Sequence, residues 1–460
     1  MRELTDESDP ESHPFVRHPH RTLIGLSAPV LVSLIAEPLT GLVDTAFVAR
    51  LGSRPLAALG VATTLLSSIV WVFNFLSIGT QTELARSHGS GQEQEGRRIA
   101  SLALALGVLL GASLALVAWP LAPTAVRLLG LDEAGVAAGS GYLKVRLLGA
   151  PAVLLTVAAS GALRGRQDMR TPLVIALVVN ALNLVLDPLL IFGLGPFPRL
   201  ELVGAAWASA FGQWAGAALA VVAVSRRIGL TGRQVWRDVG RLFTIGLDLF
   251  LRTSALLLFL ALATRAANRI GVEAGAAHQA VRQSWIFTAF LLDAYAVAAQ
   301  SLVGFFLAAG QRPVARRVAG VACLWGLGTG AVLAVSMLLA TGPVARLLVP
   351  KSAQAAFLGA WWAAALFQPL NSLSFVTDGI HWGTSDYRFL RNAVATATVS
   401  GALLLAVFGG PPGFDLTDVW LITGAWIAIR AGFGVARIWP GFGAAPLGRH
   451  EAQSGSARNV

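Results

Sequence analysis

Long apolar runs dominate the pattern of hydrophobic and polar positions along the chain. A bilayer core of about 30 Å needs roughly 20 apolar residues per helix. Twelve runs of this kind are present, and they are continuous, whereas the strands of a transmembrane β-barrel alternate apolar and polar residues. The pattern predicts an all-α polytopic membrane protein with twelve transmembrane helices. Their approximate centres are Ser33, Val72, Leu110, Leu154, Val179, Ala215, Leu257, Phe290, Thr329, Leu366, Leu403 and Ala428.

Composition supports this class and removes others. The 460 residues are 55% hydrophobic and 13% charged, whereas soluble proteins carry about 25% charged residues. Ordinary soluble enzymes, disordered proteins and disulfide-stapled domains are therefore excluded. The only cysteine is Cys323, so no intramolecular disulfide or thiolate metal site can form.

The net charge of +11 comes from arginines that lie between the apolar runs. This placement is typical of loops retained in the cytoplasm next to anionic lipid, and we expect no nucleic-acid partner. With a cytoplasmic N-terminus, the inner connections carry sixteen Arg, and the outer ones carry eight basic residues, or ten if Lys144 and Arg146 lie outside the membrane. The bias predicts a multi-pass protein of the bacterial cytoplasmic membrane with both termini in the cytoplasm. Residues 1–20 and 441–460 are both expected to be short, disordered cytoplasmic tails.

An internal repeat divides the chain into halves. A shift of 219 residues places Gln81 on Gln300 and the pair Arg97-Arg98 on Arg316-Arg317, and a shift of 218 places Gly161, Gly165 and Asp168 on Gly379, Gly383 and Asp386. Six helices per half keep both halves in the same orientation, so the repeat is expected to be parallel, about an axis along the membrane normal. It predicts an N-lobe at 21–226, a basic cytoplasmic linker at 227–244 and a C-lobe at 245–440.

Ionisable residues inside a membrane are costly and mark candidate sites. The first helix carries Glu37 and Asp44 two turns apart, together with Pro29 and Pro38, which allow a helix to bend. The fifth helix places Asn180, Asn183 and Asp187 on one inward-facing stripe, which could share a proton or a small cation with Asp44. Alternatively, the amides only hold helices together, and Asp44 is a residue at the membrane boundary.

The second half has its own internal carboxylates. Asp293 precedes Gln300 by two turns, and Asp378 lies in the tenth run. Arg252 and Arg282 are available to pair with these carboxylates, in which case the charges would be structural. No nucleophile triad, phosphate-cradling loop or metal-ligand cluster appears in the sequence, so we expect neither an enzyme nor a cofactor.

Several segments resemble the MATE (multidrug and toxic compound extrusion) transporters, in particular the branch of DNA-damage-inducible protein F (DinF). The resemblance covers about residues 22–440. The segments that carry it are Glu37-Pro38-Leu39, Leu42 to Phe47, Arg50-Leu51-Gly52, Gly161 to Gly165 with Asp168 and Arg170 to Leu173, Ala276 to Gln279, Phe290 to Asp293, Gln368 to Asn371, Val376, Asp378-Gly379, Gly383 and Asp386 to Arg388.

The resemblance implies two six-helix lobes forming a V and an antiporter that exports small organic compounds, cationic or amphipathic, against inward protons or sodium. It also implies that Asp44, Asn180, Asn183 and Asp187 form the proton-linked site and that Pro29 is the bending proline. That branch commonly has an acidic residue where this chain has Gln300, which argues against a C-lobe cation site at that position. We expect a monomer whose partners are the lipid bilayer and a small-molecule substrate.

Two rival functions use related architectures. A lipid-intermediate flippase needs a large basic central cavity and further helices, and an intramembrane transferase needs paired acidic motifs at a membrane face. Neither pattern is found in the sequence. A major-facilitator porter also has twelve helices, but its acidic-basic loop is not matched by Ser87 to Arg98.

Overall fold

The computed structural model describes residues 10–232, 235–409 and 413–448, and all regular secondary structure in these ranges is helical. The chain divides into two compact units between Phe250 and Leu251. The helices of the first unit are α1 (Pro14–Arg17), α2 (Pro19–Ala49), α3 (Ser53–Val72), α4 (Asn74–Gly89), α5 (Glu93–Leu128), α6 (Glu133–Leu148), α7 (Ala150–Gly165), α8 (Arg170–Phe192) and α9 (Glu201–Arg227).

A short 3-10 helix (Val235–Asp238) leads into α10 (Val239–Ile270), which crosses the division between the units. The second unit continues with α11 (Val272–Ala308), α12 (Arg312–Leu339), α13 (Thr341–Leu348), a 3-10 turn (Lys351–Ala353), α14 (Gln354–Leu366), α15 (Gln368–Gly383), α16 (Tyr387–Phe408) and α17 (Leu416–Ile438).

The lengths of these helices match a membrane protein. Within the described ranges, ten helices are long and apolar enough to cross a bilayer, and the pair α6 and α7, bent by 46°, makes an eleventh span. The predicted run around Leu366 corresponds to α14 and α15, of 13 and 16 residues, each too short to span alone. The predicted class, an all-α polytopic membrane protein, is confirmed.

Glycines at equivalent positions pack the helices in the same way in both units. A Cβ atom on Gly161 of α7 would lie 2.4 Å from the backbone oxygen of Ser77 in α4. A Cβ atom on Gly379 of α15 would lie 2.3 Å from the backbone oxygen of Ala296 in α11. Backbones this close leave no room for a side chain, so the repeat is visible in the packing of each unit as well as in the sequence.

The start of α10 packs on the first unit. The ring of Phe75 in α4 lies against Gly246, and Ile245 lies against Gly79. The stretch predicted as a linker, 227–244, therefore ends in helix, with α10 beginning at Val239. The second unit begins six residues after the predicted start of the C-lobe at 245.

The N-terminal stretch differs from the prediction of a disordered tail at 1–20. Residues 1–9 lie outside the described ranges, but α1 and the start of α2 are helical within 14–20. The His13 side chain accepts from the Phe15 backbone N–H (3.1 Å), Pro14 begins the helix, and Phe15 is fully buried. The buried ring of Phe15 anchors this segment, although its polar composition is typical of disorder.

The C-terminal stretch is also partly packed. Ala445 and Leu447 are buried, and their backbone oxygens accept from Arg312 Nη2 (3.1 Å) and Arg316 Nη1 (2.5 Å) at the start of α12. Residues 441–448 are therefore docked on the second unit, whereas 449–460 lie outside the described ranges.

Candidate functional site

A buried polar cluster lies where α2 and α8 meet in the first unit. Asp44 is 7% exposed, Asn183 1% and Asp187 0%. The cluster lies between two apolar cores along α8, one including Ile175 and the other Ile191. The structure therefore brings together the two carboxylates and the amide that the sequence placed on facing helices.

Asn183 links the two carboxylates. Its side chain is assigned the amide orientation that satisfies both ends. In that orientation Nδ2 donates to Asp44 Oδ1 (2.9 Å) and to Asp187 Oδ2 (3.3 Å), while Oδ1 accepts from Ser209 Oγ of α9 (3.1 Å). One amide group thus holds both acidic side chains, and α9 fixes its direction.

Asn180 contacts the backbone of α2 and no carboxylate of this cluster. Its Nδ2 donates to the backbone oxygen of Ala36 (2.9 Å), which also accepts from Thr40 Oγ1 (3.1 Å). Ala36 lies two residues before Pro38, and α2 runs as one helix through Pro29 and Pro38. Asn180 therefore ties α8 to the turn of α2 that has lost a backbone hydrogen bond to proline.

Residues of α6 and α9 complete the site and were not among the predicted site residues. Arg146 interacts electrostatically with both carboxylates and, in the amide orientation that satisfies Gln213, donates to Gln213 Oε1 through Nη1 (2.9 Å) and Nη2 (3.1 Å). Tyr142, one turn earlier, is buried beside the same charges. The available signal was a guanidinium within the apolar α6–α7 span, but the sequence alone left open whether Arg146 lies inside or outside the membrane.

Asp187 retains one unused acceptor. Its Oδ1 is buried and has no hydrogen-bond donor among the described residues. Burying an unpaired carboxylate oxygen is costly, and two ionised carboxylates held by one amide also repel each other. One added positive charge at this point relieves both costs, so the arrangement can take up and release a monovalent cation or a proton.

Glu37 cannot be assigned to the site. Its backbone lies in α2, but its side chain lies outside the described part of the chain. It stays a prediction from the sequence.

The second unit contains a different cluster, around Asp378 of α15. Arg252 of α10 donates to Asp378 Oδ2, and Arg430 Nη2 of α17 donates to the same oxygen at 2.9 Å. The Asp378 side chain is 5% exposed, and those of Arg252 and Arg430 are 11% and 1% exposed. The predicted pairing of Arg252 with an internal carboxylate is therefore observed, and Arg430 is an additional partner.

Asp293 and Gln300 lie on the neighbouring α11. Asp293 is close enough to interact electrostatically with Asp378 and both arginines. Gln300 is buried, and a Cβ atom on Gly383 would meet its backbone oxygen at 2.6 Å. Gln300 thus belongs to the contact between α11 and α15. No group of three or more His, Cys, Asp or Glu side chains that could hold a metal occurs in the residues described.

Two related helical units of apolar spans, each with charged side chains buried inside, define a polytopic membrane transporter. The family model MatE matches this chain over residues 29–189 and 250–407, segments that begin 221 and end 218 residues apart. The chain belongs to the MatE family, whose members are transporters and not enzymes, as the sequence predicted.

Curated relatives cover most of the chain. It is 32% identical to Protein DETOXIFICATION 44, chloroplastic, of Arabidopsis thaliana over 88% of this chain and 81% of that protein. It is 28% identical to DNA damage-inducible protein F of Escherichia coli (92% and 93%) and 31% identical to a probable multidrug resistance protein NorM of Deinococcus radiodurans (87% and 90%).

Solved structures share the fold. A crystal structure of MATE in the bent conformation matches with a TM-score of 0.82 at 20% identity, over 91% of this chain and 95% of that one. A crystal structure of MATE in the straight conformation matches with a TM-score of 0.81 at 21% identity, over 91% and 96%.

Proposed function

We propose that this transporter is a proton-driven antiporter that exports small organic compounds, cationic or amphipathic, across a bacterial cytoplasmic membrane. The observation that carries the proposal is the pair of buried carboxylates, Asp44 and Asp187, held by the single amide of Asn183. Of the relatives, the NorM protein is described as a probable multidrug resistance protein, which supports an organic cargo.

The charge of the site suggests one coupling ion per cycle. Asp44 and Asp187, both ionised, together with Arg146 give a net charge of −1, so a single proton neutralises the cluster. The neutral carboxyl group becomes a donor, and the donor–acceptor pattern around Asn183 must change. Because Asn183 and Asn180 both tie α8 to α2, that change alters how the two helices are held, next to the prolines of α2.

The arrangement of polar atoms around Asn183 favours a proton over sodium as the coupling ion. A sodium ion needs several oxygens directed at one point, whereas the Asn183 nitrogen points at both carboxylates and its oxygen at Ser209. Sodium binding would require the amide to turn over, so that Nδ2 donates to Ser209 Oγ and no longer holds either carboxylate. Protonation requires only a bond to a carboxylate oxygen, and Asp187 Oδ1 is unused among the described residues.

The energetics of one proton are sufficient for useful export. A proton that enters down a 100 mV potential releases about 2.3 kcal/mol. Since about 1.4 kcal/mol corresponds to a tenfold ratio, this supports a gradient of about 50-fold for a neutral cargo.

The test is efflux from proteoliposomes loaded with a panel of organic cations and neutral compounds, under separate proton and sodium gradients. Wild-type protein is expected to release at least one cargo faster when the outside is acidic, and Asp44→Asn is expected to lose this acceleration. Asp132→Asn is the matched control, because Asp132 is an exposed N-cap of α6 and Asn caps as well. Acceleration by sodium alone, or full acceleration in Asp44→Asn, would refute proton coupling at this site.

A further inference from the structure

A second site lies in the first unit, at the end that carries the N-terminus. A cavity of about 780 Å³ opens between the start of α2 and the turn that joins α7 to α8. Basic side chains line it from three helices and a loop, against a single carboxylate, that of Asp168. The basic residues are His18, Arg21, Arg166, Arg170 and Arg227.

Part of this positive charge is already neutralised. Arg227 Nη1 pairs with Asp168 Oδ2 at 2.8 Å, and the other Asp168 oxygen accepts from the Thr171 backbone N–H at 3.0 Å. Arg166 Nη1 pairs with Glu93 at 2.6 Å. The Asp168 carboxylate is thus already bound to the backbone at the start of α8 and to Arg227.

Arg21 and Arg170 carry the unbalanced charge. Both are exposed, and neither has a hydrogen bond or ion pair within the ranges that the structure describes. Both line the cavity, Arg21 from the start of α2 and Arg170 from the start of α8. Guanidinium groups without a counter-ion at one cavity suit the oxygens of a phosphate, which arginine binds through paired N–H groups.

The floor and rim of the cavity fit the rest of a phospholipid. Leu26 adds apolar surface inside, and Gly25 leaves open space, since a Cβ atom there would meet nothing within 4 Å. On α2 itself, Ile24 is 38% exposed and Val32 is 48% exposed. In a membrane-spanning helix such side chains face acyl chains, so a headgroup in the cavity can keep its tails in the bilayer.

We propose that this cavity binds a phosphate anion, supplied by the headgroup of an anionic phospholipid. Arg21 and Arg170 hold the phosphate oxygens, and His18 also lines the cavity. Pro29, the first of the two prolines within α2, lines the same cavity, so the bound headgroup lies next to it. Binding involves none of the residues of the Asp44–Asp187 site and does not depend on the proposed coupling.

The test is a titration of the purified, delipidated full-length protein with phosphatidylglycerol, followed by native mass spectrometry and thermal unfolding. Phosphatidylcholine, whose choline cation balances the phosphate, and inorganic phosphate are separate arms. We expect phosphatidylglycerol to bind and raise the unfolding temperature, and phosphatidylcholine to do neither. Binding of inorganic phosphate at equal concentration with no added effect of the lipid would assign the site to a soluble phosphate and overturn the lipid source.

Two kinds of variant locate the site. Arg21→Gln with Arg170→Gln removes the charge and is expected to weaken phosphatidylglycerol binding at least about tenfold, since each basic group near an anionic lipid contributes about fivefold. Gly25→Leu fills the space without changing charge and is also expected to weaken binding. The control, Arg17→Gln with Arg226→Gln, removes two exposed arginines that do not line the cavity. Equal loss in the control, or undiminished binding in both cavity variants, would show diffuse surface attraction and overturn the proposal. Asp44→Asn should bind the lipid as wild type does.

Discussion

At the scale of single residues, the two units use buried charge differently. The Asp44–Asp187 site has two carboxylates and one nearby guanidinium, so it is one positive charge short of neutrality. In the cluster around Asp378, one carboxylate accepts from two guanidinium groups, and Asp293 lies close enough to interact electrostatically with all three. The Asp44–Asp187 site can exchange a proton at low cost, whereas protonating Asp378 would leave two buried guanidinium groups without the carboxylate they share. We therefore assign Asp378 a structural role.

Removing Asp378 should destabilise the protein. Asp378→Asn leaves the guanidinium groups of Arg252 and Arg430 buried without their counter-ion, which typically costs about 3–5 kcal/mol. The expected result is a clear fall in the unfolding temperature of the purified protein in detergent. Glu133→Gln is the control, because its pair with Arg127 is solvent-exposed and should change stability far less. An unfolding temperature equal to that of wild type in Asp378→Asn would contradict the structural role.

The predictable and unpredictable parts of the candidate site differ in their physical origin. The stripe of Asn180, Asn183 and Asp187 follows from helical spacing on one element, and so does its inward direction. Arg146 and Ser209 join the site through contacts between helices far apart in sequence, which no periodicity contains. Even within the stripe, spacing could not show that Asn180 would bind the α2 backbone while Asn183 binds the carboxylates.

At the scale of helices, the close contacts of α7 on α4 and of α15 on α11 depend on glycine. Glycines of the repeat lie against a neighbouring helix in matched positions 218 or 219 residues apart, among them Gly107, Gly111, Gly161 and Gly165 in the first unit and Gly326, Gly330, Gly379 and Gly383 in the second. Interfaces of small residues let helices approach closely in lipid, where the hydrophobic effect does not drive helix association.

Adding one methyl group at such a contact should be costly. Gly161→Ala would place its Cβ atom 2.4 Å from the Ser77 backbone oxygen, and overpacking of this kind costs about 1–3 kcal/mol. Gly60→Ala in α3 is the matched control, because its Cβ atom would meet nothing within 4 Å and alanine favours helix. Thermal unfolding in detergent should show a loss for the first variant and none for the second. Equal stability of both variants would mean that the close contact is not required.

The ends of the chain show where composition misleads at this scale. Short polar stretches beside long apolar ones are typical of disordered tails. Yet Phe15 buries its ring, and Arg312 and Arg316 hold the backbone at Ala445 and Leu447. The apolar runs themselves were predictable, because the thickness of a bilayer sets their length. The break between α14 and α15 at Phe367 has a different signal, Pro369 in the first turn of α15, which a search for long apolar runs does not use.

At the scale of the whole molecule, the arginine bias predicts the orientation in the membrane. In a Cys323→Ser background, a single cysteine at Ser53 should react with a membrane-impermeant maleimide in intact cells, because it lies on a predicted outer connection. A cysteine at Ser90, on a predicted inner connection, should react only after lysis. Both serines are exposed, so access of the reagent is comparable. The reverse labelling pattern would show that the positive-inside prediction is wrong for this chain.

The coupling of cargo export to proton entry is tested most directly by measuring the movement of protons. Proteoliposomes are loaded with a transported compound and a pH-sensitive dye, and the outward gradient of that compound is the only driving force. We predict that the lumen acidifies as the compound leaves through wild-type protein, by about one proton per molecule because one proton neutralises the Asp44–Asp187 site. Asp44→Asn should show no acidification. Release from wild-type protein without acidification, or undiminished acidification in Asp44→Asn, would contradict the account.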